Sequence, residues 1–159
     1  MTNTTDTSSK GGPLPGLLRP PIVLLSAISL GVVLNLVWPL PFVPSGLVSL
    51  GAVTALAAVL LFVLSLRELR AAGTSVRGTK RTTTIVRTGP YRFSRNPIYL
   101  SFVLLLLGLA VWLNNLWLLM TLVLFAGFIS IWVIPREERF LERNFIQYPD
   151  YKATVRRWW

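Results

Sequence analysis

Two short polar stretches hold most of the residues able to do chemistry. The first runs Thr82-Thr83-Thr84-Ile85-Val86-Arg87-Thr88-Gly89-Pro90-Tyr91-Arg92-Phe93-Ser94-Arg95-Asn96-Pro97-Ile98-Tyr99. The second runs Pro135-Arg136-Glu137-Glu138-Arg139-Phe140-Leu141-Glu142-Arg143-Asn144-Phe145. The chain has no His and no Cys. That excludes disulfides, Cys/His metal sites, thiol nucleophiles and an imidazole general base. Carboxylates that can hold a cation, guanidinium groups that can hold an anion, and aromatic faces remain. Such a set suits a reaction that works by placing its reactants.

In the first stretch, Asn96 is a good helix N-cap and Pro97 a good first helical residue. Such a helix start admits two readings. It is an interfacial anchor, with Arg92 and Arg95 on headgroup phosphates and Tyr91 and Tyr99 in the aromatic belt. Or it offers unpaired N–H groups and aromatic walls to a polar ligand. In the second stretch, Pro135 followed by two acids reads as a helix N-terminus. A helical wheel places Glu137 within the apolar arc of Phe140, Leu141 and Phe145. It places Glu138, Arg139, Glu142 and Arg143 on the solvated side, with Arg139 and Glu142 as an i,i+3 pair. An inward Glu137 needs a cationic partner, either Arg92 or Arg95 or a cationic ligand. The C-terminal run Tyr148 to Trp159 reads as an interfacial anchor of Trp and Arg, or as a lid over a lipophilic substrate.

The elements that must position these stretches are apolar. Pro21–Trp38, Pro44–Leu66, Pro97–Leu113 and Leu116–Ile134 carry no charge. A spanning helix needs roughly 17–25 apolar residues. The third run, about 26 Å long as a helix, must be extended by interfacial residues or partly buried in protein. The links alternate: a Pro-rich turn at 39–43, a long basic loop at 67–96, a tight Asn114–Asn115 turn and a basic tail at 135–159. The pattern predicts an all-α integral membrane protein of about four transmembrane helices as two hairpins. Residues 1–20 are expected to be a disordered polar tail, 21–66 the first hairpin, and 67–159 the functional core.

Composition agrees. The 159 residues are 53 % hydrophobic and 14 % charged, with a net charge of +10, where soluble domains carry about 25 % charged residues. The excess charge therefore suggests anionic lipid headgroups as partners rather than nucleic acid. Residues 1–20, 67–96 and 135–159 hold all 16 bases and all 6 acids. Four spans put these segments on one side, which the positive-inside rule makes cytoplasmic, with both termini there. No ionisable residue lies inside an apolar run, which argues against a proton or ion pathway. Neither a P-loop nor a dinucleotide fingerprint is present.

Gly89-Pro90-Tyr91-Arg92-Phe93-Ser94-Arg95-Asn96-Pro97-Ile98-Tyr99, then an apolar hairpin, then Glu137-Glu138-x-x-Leu141 and Tyr148-x-x-Tyr151, resembles the isoprenylcysteine carboxyl methyltransferase and phospholipid methyltransferase superfamily. The resemblance covers roughly residues 70–157. It implies an S-adenosylmethionine-dependent membrane enzyme that binds its cofactor at the cytosolic helix ends, beneath the C-terminal segment, with no metal. By motif position, Thr84, Ile85 and Val86 would line the adenosine side, and Tyr91 would pack on the cofactor. Asn96, Pro97, Ile98 and Tyr99 would hold it at the helix start, and Glu137 would bind its amino group. Many members have His at the position of Asn96, which cannot titrate. The prenylcysteine enzymes carry an Arg where this chain has Val133. Arg92, Arg95 and Arg136 are the candidates to pair with an anionic substrate. A sterol-reductase-like, NADPH-dependent membrane enzyme and a non-catalytic anionic-lipid-binding protein are the alternatives.

Overall fold

The computed structural model describes residues 19–73 and 85–158. Residues 1–18 of the expected tail and 74–84 of the basic loop, Thr84 among them, lie outside the described residues. Those described form helices and turns with no strand among them: α1 (Pro20–Val37), α2 (Val48–Ala71), α3 (Pro97–Trp112), α4 (Leu116–Phe128), α5 (Ile134–Asn144) and α6 (Tyr148–Thr154). Short 3-10 turns at Ser45–Leu47 and Gly89–Arg92 lead into α2 and α3. Pro20–Val37, Ser45–Ala71 and Leu116–Asn144 are long and apolar enough to cross a membrane, and α3 is a shorter apolar helix. The chain is the all-α membrane protein its hydropathy pattern implies.

The bundle is ordered α2–α3–α4–α1. α1 and α2 are joined by a short link, yet they flank the second hairpin rather than pair with each other. α3 thereby becomes a central helix, which explains how it manages with 16 residues. At about 24 Å it is shorter than a hydrocarbon core of about 30 Å, but it has protein on both sides. Leu106 and Ala110 of α3 and Leu118 of α4 are fully buried. Leu25, Val33, Leu56, Leu60, Val123 and Leu124 point outward and are exposed, as lipid-facing side chains must be.

Two helix contacts depend on glycine. A Cβ on Gly51 would stand 2.2 Å from the Trp112 nitrogen, and one on Gly108 would stand 2.5 Å from the Ala55 nitrogen. With no hydrophobic force between helices in lipid, such close backbone approach supplies the dispersion contacts that hold α2 on α3.

The uncharged end is tied by its two asparagines. Asn114 takes the left-handed conformation, φ 46. Its Oδ1 accepts from the Phe42 and Val43 nitrogens at 2.8 and 2.7 Å, and its Nδ2 donates to the Val43 carbonyl at 3.0 Å. Asn115 caps α4 by accepting from the Leu118 nitrogen at 3.2 Å, and it donates to the Gly31 carbonyl at 3.1 Å. The turn expected at 114–115 is thus also the staple that holds the α1–α2 link.

Three boundaries differ from expectation. α2 continues to Ala71, so Arg67, Glu68 and Arg70 sit on a helix rather than in a loop. Pro135 does not begin a helix: α4 runs into α5 through a π-helical segment, Ile129–Val133. The reason is local. Proline lacks an N–H and its ring crowds the carbonyl four residues back. In the π segment the Ile134 nitrogen bonds to the carbonyl of Ile129, five residues back, and this wider turn absorbs the proline without a break. Asn96 occupies the N-cap position of α3, but its side chain does not cap the helix.

The tight seam makes a prediction. Gly108→Val should cost about 1–3 kcal/mol through overpacking and lower the thermal midpoint in detergent. Gly127, with nothing within 4 Å of a Cβ, should accept Ala with no loss. Equal losses from both would contradict a close α2–α3 approach.

Candidate functional site

At the charged end, the chain before α3 is shaped by a turn that needs glycine. Gly89 has φ +57, and a Cβ there would meet the Glu68 Cγ at 2.7 Å. The Thr88 hydroxyl donates to the Glu68 carboxylate, which fixes the turn to the end of α2. Tyr91 follows and is buried, as is Val86, while Ile85 is half-buried. The Tyr151 hydroxyl of α6 donates to the Tyr91 carbonyl at 2.6 Å. Burial, with Tyr148 nearby, pushes the Tyr151 phenol up to about 12. Burial pushes Tyr91 up as well, with smaller contributions from Tyr151 and the Glu137 and Glu68 carboxylates. Both phenols therefore remain protonated at neutral pH. Arg87 lies over the Tyr151 ring at 5.6 Å and donates to the Gln147 carbonyl at 2.6 Å.

The two adjacent glutamates of α5 have different surroundings. Glu138 is 5 % exposed. Arg157 grips it through two bonds, Nη2 to Oε2 at 2.8 Å and Nε to Oε1 at 3.2 Å. Arg95 adds a second ion pair on the same carboxylate, Nη1 to Oε1 at 3.2 Å. The expectation that Glu138 lies on the solvated face is therefore corrected. The inward face of α5 is Ile134, Glu138 and half-buried Leu141, while Phe140 is 51 % exposed. A charge takes an inward position here because two cations from other parts of the chain meet it. The expected Arg139–Glu142 pair does not form either. Arg139 donates to the Pro135 carbonyl at 3.0 Å, and Glu142 pairs with Lys152 at 2.6 Å.

Glu137 remains exposed. The expectation that the wheel turns it inward is therefore corrected; from this exposed position its Oε1 accepts from the Tyr99 hydroxyl of α3 at 2.6 Å. Among the described residues no cation stands within ion-pair distance of it. Neither expected protein partner serves, because Arg95 is committed to Glu138 and Arg92 is exposed with no ion pair among the described residues. Arg136 is also exposed and stacks on Trp132 at 5.4 Å. Pro97 is buried, and Ile98 and Tyr99 pack against the core at the start of α3. The Asn96 Nδ2 donates to the Arg157 carbonyl at 3.3 Å. The fold thus gathers Tyr91, Asn96, Pro97, Tyr99 and Glu137 at one end of the bundle and leaves Arg92 and Arg136 on its surface.

A family model described as phospholipid methyltransferase matches residues 47–148. The chain belongs to the phospholipid methyltransferase family. An uncharacterized protein of Haemophilus influenzae is similar, 40 % identical over 62 residues that make up 38 % of this chain and 98 % of that protein. No solved structure matches with significance. The part shared with the phospholipid methyltransferase family runs from the start of α2 to Tyr148, so it contains both glutamates, Arg95 and the whole approach to α3.

Sequence reasoning passed over Glu68, Tyr151 and Arg157 as site-builders in this methyltransferase. For Tyr151 the spacing Tyr148-x-x-Tyr151 was a signal. For Arg157 there was none, since nothing local says that the chain beyond α6 turns back over α3. The Gly89 turn gives a direct check. Gly89→Ala should destabilise by at least about 1–2 kcal/mol from the left-handed backbone alone, and Glu68→Ala in the same chain should recover the part due to the clash. Full tolerance of Gly89→Ala in thermal unfolding would refute the turn.

Proposed function

We propose that this membrane methyltransferase moves a methyl group from S-adenosylmethionine to a lipophilic molecule of the bilayer, at the charged end of its bundle. The single observation that carries the reading is the unequal pair: Glu138 is neutralised by Arg95 and Arg157, while among the described residues Glu137 has only the Tyr99 hydroxyl. A carboxylate so oriented and without a cation suits the ammonium of an amino acid. The start of α3, not capped by the Asn96 side chain, suits the carboxylate of the same amino acid. The residues present therefore fit the methionine part of this cofactor.

Tyr99 orients Glu137, and Tyr91 supplies a buried wall. Ile85 and Val86, with Thr84 by motif position, would border the adenosine. When bound, the cofactor supplies a methyl group on a positively charged sulfur, which aromatic faces tolerate well. Displacement at that carbon needs alignment and exclusion of water more than proton transfer, so the absence of His and Cys is no obstacle. Arg92 and Arg136, exposed and without ion pairs among the described residues, are placed to meet an anionic acceptor or headgroup. The charged end would be cytoplasmic by the distribution of its bases.

The purified protein should gain thermal stability with S-adenosylhomocysteine, by about 2.7 kcal/mol at a hundredfold excess over Kd, and none with NADPH. Glu137→Ala should abolish the gain, and Tyr99→Phe should weaken it. Labelled methyl should pass from S-adenosylmethionine into an organic-soluble product of a lipid extract. Stabilisation by NADPH alone would replace this reading with a reductase. Binding of neither nucleotide, with lipid affinity that falls steeply with salt, would replace it with a lipid-docking role.

A further inference from the structure

Beyond α6 the chain leaves helix at Val155, in extended conformation, and crosses back over the start of α3. The Arg95 nitrogen donates to the Arg156 carbonyl at 3.0 Å. The Ser94 hydroxyl and the Asn96 amide both donate to the Arg157 carbonyl, at 3.1 and 3.3 Å. The Arg157 side chain then grips Glu138. One residue further, Trp158 packs on the core and lines an apolar groove of about 430 Å³ between α3 and the α4–π segment. Its other lining residues are Leu100, Val103, Leu104, Ala126 and Ser130. Leu100 directly follows Tyr99, so the groove begins on the same first turn of α3 as the polar site.

We propose that Glu138 and Arg157 are positioning residues for the methyl acceptor: their ion pair seats Trp158 as the end wall of a groove that takes the acceptor's aliphatic chain. The occupant follows from place and lining. The groove is apolar, it is cut into helices whose outer faces meet lipid, and it ends beside the group that Tyr99 and Glu137 would hold. The strap that carries its wall is held by three hydrogen bonds to its carbonyls, one from main chain and two from side chains, and by one ion pair. Arg157 is itself 36 % exposed, against 6 % for Glu138. Arg157 is thus the solvent-accessible member of the triad, while Arg95, on the same carboxylate, is 9 % exposed. The identity of the methyl donor rests on the preceding reading, but the latch does not.

Because the chain has no Cys, Arg156→Cys provides a unique spin-label site on the strap. In the otherwise native protein the label should be immobile. Arg157→Gln should make it mobile and raise the apparent KM for a total lipid extract by at least about 10-fold, or 1.4 kcal/mol, with S-adenosylhomocysteine affinity held within about 2-fold. Arg157→Lys should restore most of both. Trp158→Ala should raise the same KM while the label stays immobile, which separates the wall from its latch. An immobile label in Arg157→Gln would overturn the latch. A loss of S-adenosylhomocysteine affinity in step with the KM change would assign the strap to the cofactor and overturn the acceptor role. Failure of the native protein to bind S-adenosylhomocysteine would instead strike the preceding reading, leaving the label to test the latch by itself.

Discussion

A carboxylate on the inward face of a helix stays charged only where cations come to it, and in this chain they come from two distant places. Arg95 stands just before α3 and Arg157 just beyond α6, and both end on Glu138. Removing either partner of a buried pair costs far more than the pair contributes on balance, because a desolvated charge is left behind. The triad therefore acts less as a source of stability than as a specification. It fixes the approach to α3, the return of the C-terminal segment and the rotation of α5 in a single arrangement. With Glu138 inward, its neighbour must lie about 100° away, and that places Glu137 where Tyr99 can reach it.

The bundle makes this arrangement possible. α3 is flanked on both sides, so its short length sets the depth at which its polar start emerges. The glycine seam brings α2 close enough for Glu68 to hold the Thr88–Gly89 turn. The π segment carries α4 past Pro135 without a break, so the glutamates ride on the extension of a spanning helix rather than on a separate loop. At the opposite end, Asn114 and Asn115 bind the links together. The site is thus built at the end of a rigid frame from side chains on helices and tight turns, which suits a reaction governed by placement.

Much of the frame was legible in the sequence. Charge-free runs broken by turns gave the spans, and segregation of bases gave the two unlike ends, because a bilayer penalises charge at depth whatever the fold. The division between the two glutamates was not legible: the wheel put Glu137 inside and Glu138 outside, whereas Glu137 is exposed and Glu138 buried. A wheel ranks positions by the polarity of their own side chains, and it cannot know that Arg157 returns from 19 residues on. The continuity through Pro135 was equally hidden, since proline after an apolar run signals a helix start far more often than a π turn. The pairing of α1 with α4 rather than α2 was lost for a third reason: a short link implies neighbours, but glycines on α1, α2 and α3 let α2 pack closely on α3 and α1 on α4.

The central claim is that two consecutive glutamates divide the work, one spent inside the protein and the other kept for a cationic ligand. An experimental structure of the protein with S-adenosylhomocysteine bound tests it most directly. The account predicts the ligand's ammonium on the Glu137 carboxylate, with Glu138 still between Arg95 and Arg157. An ammonium on Glu138, with Arg157 displaced from it, would contradict the account.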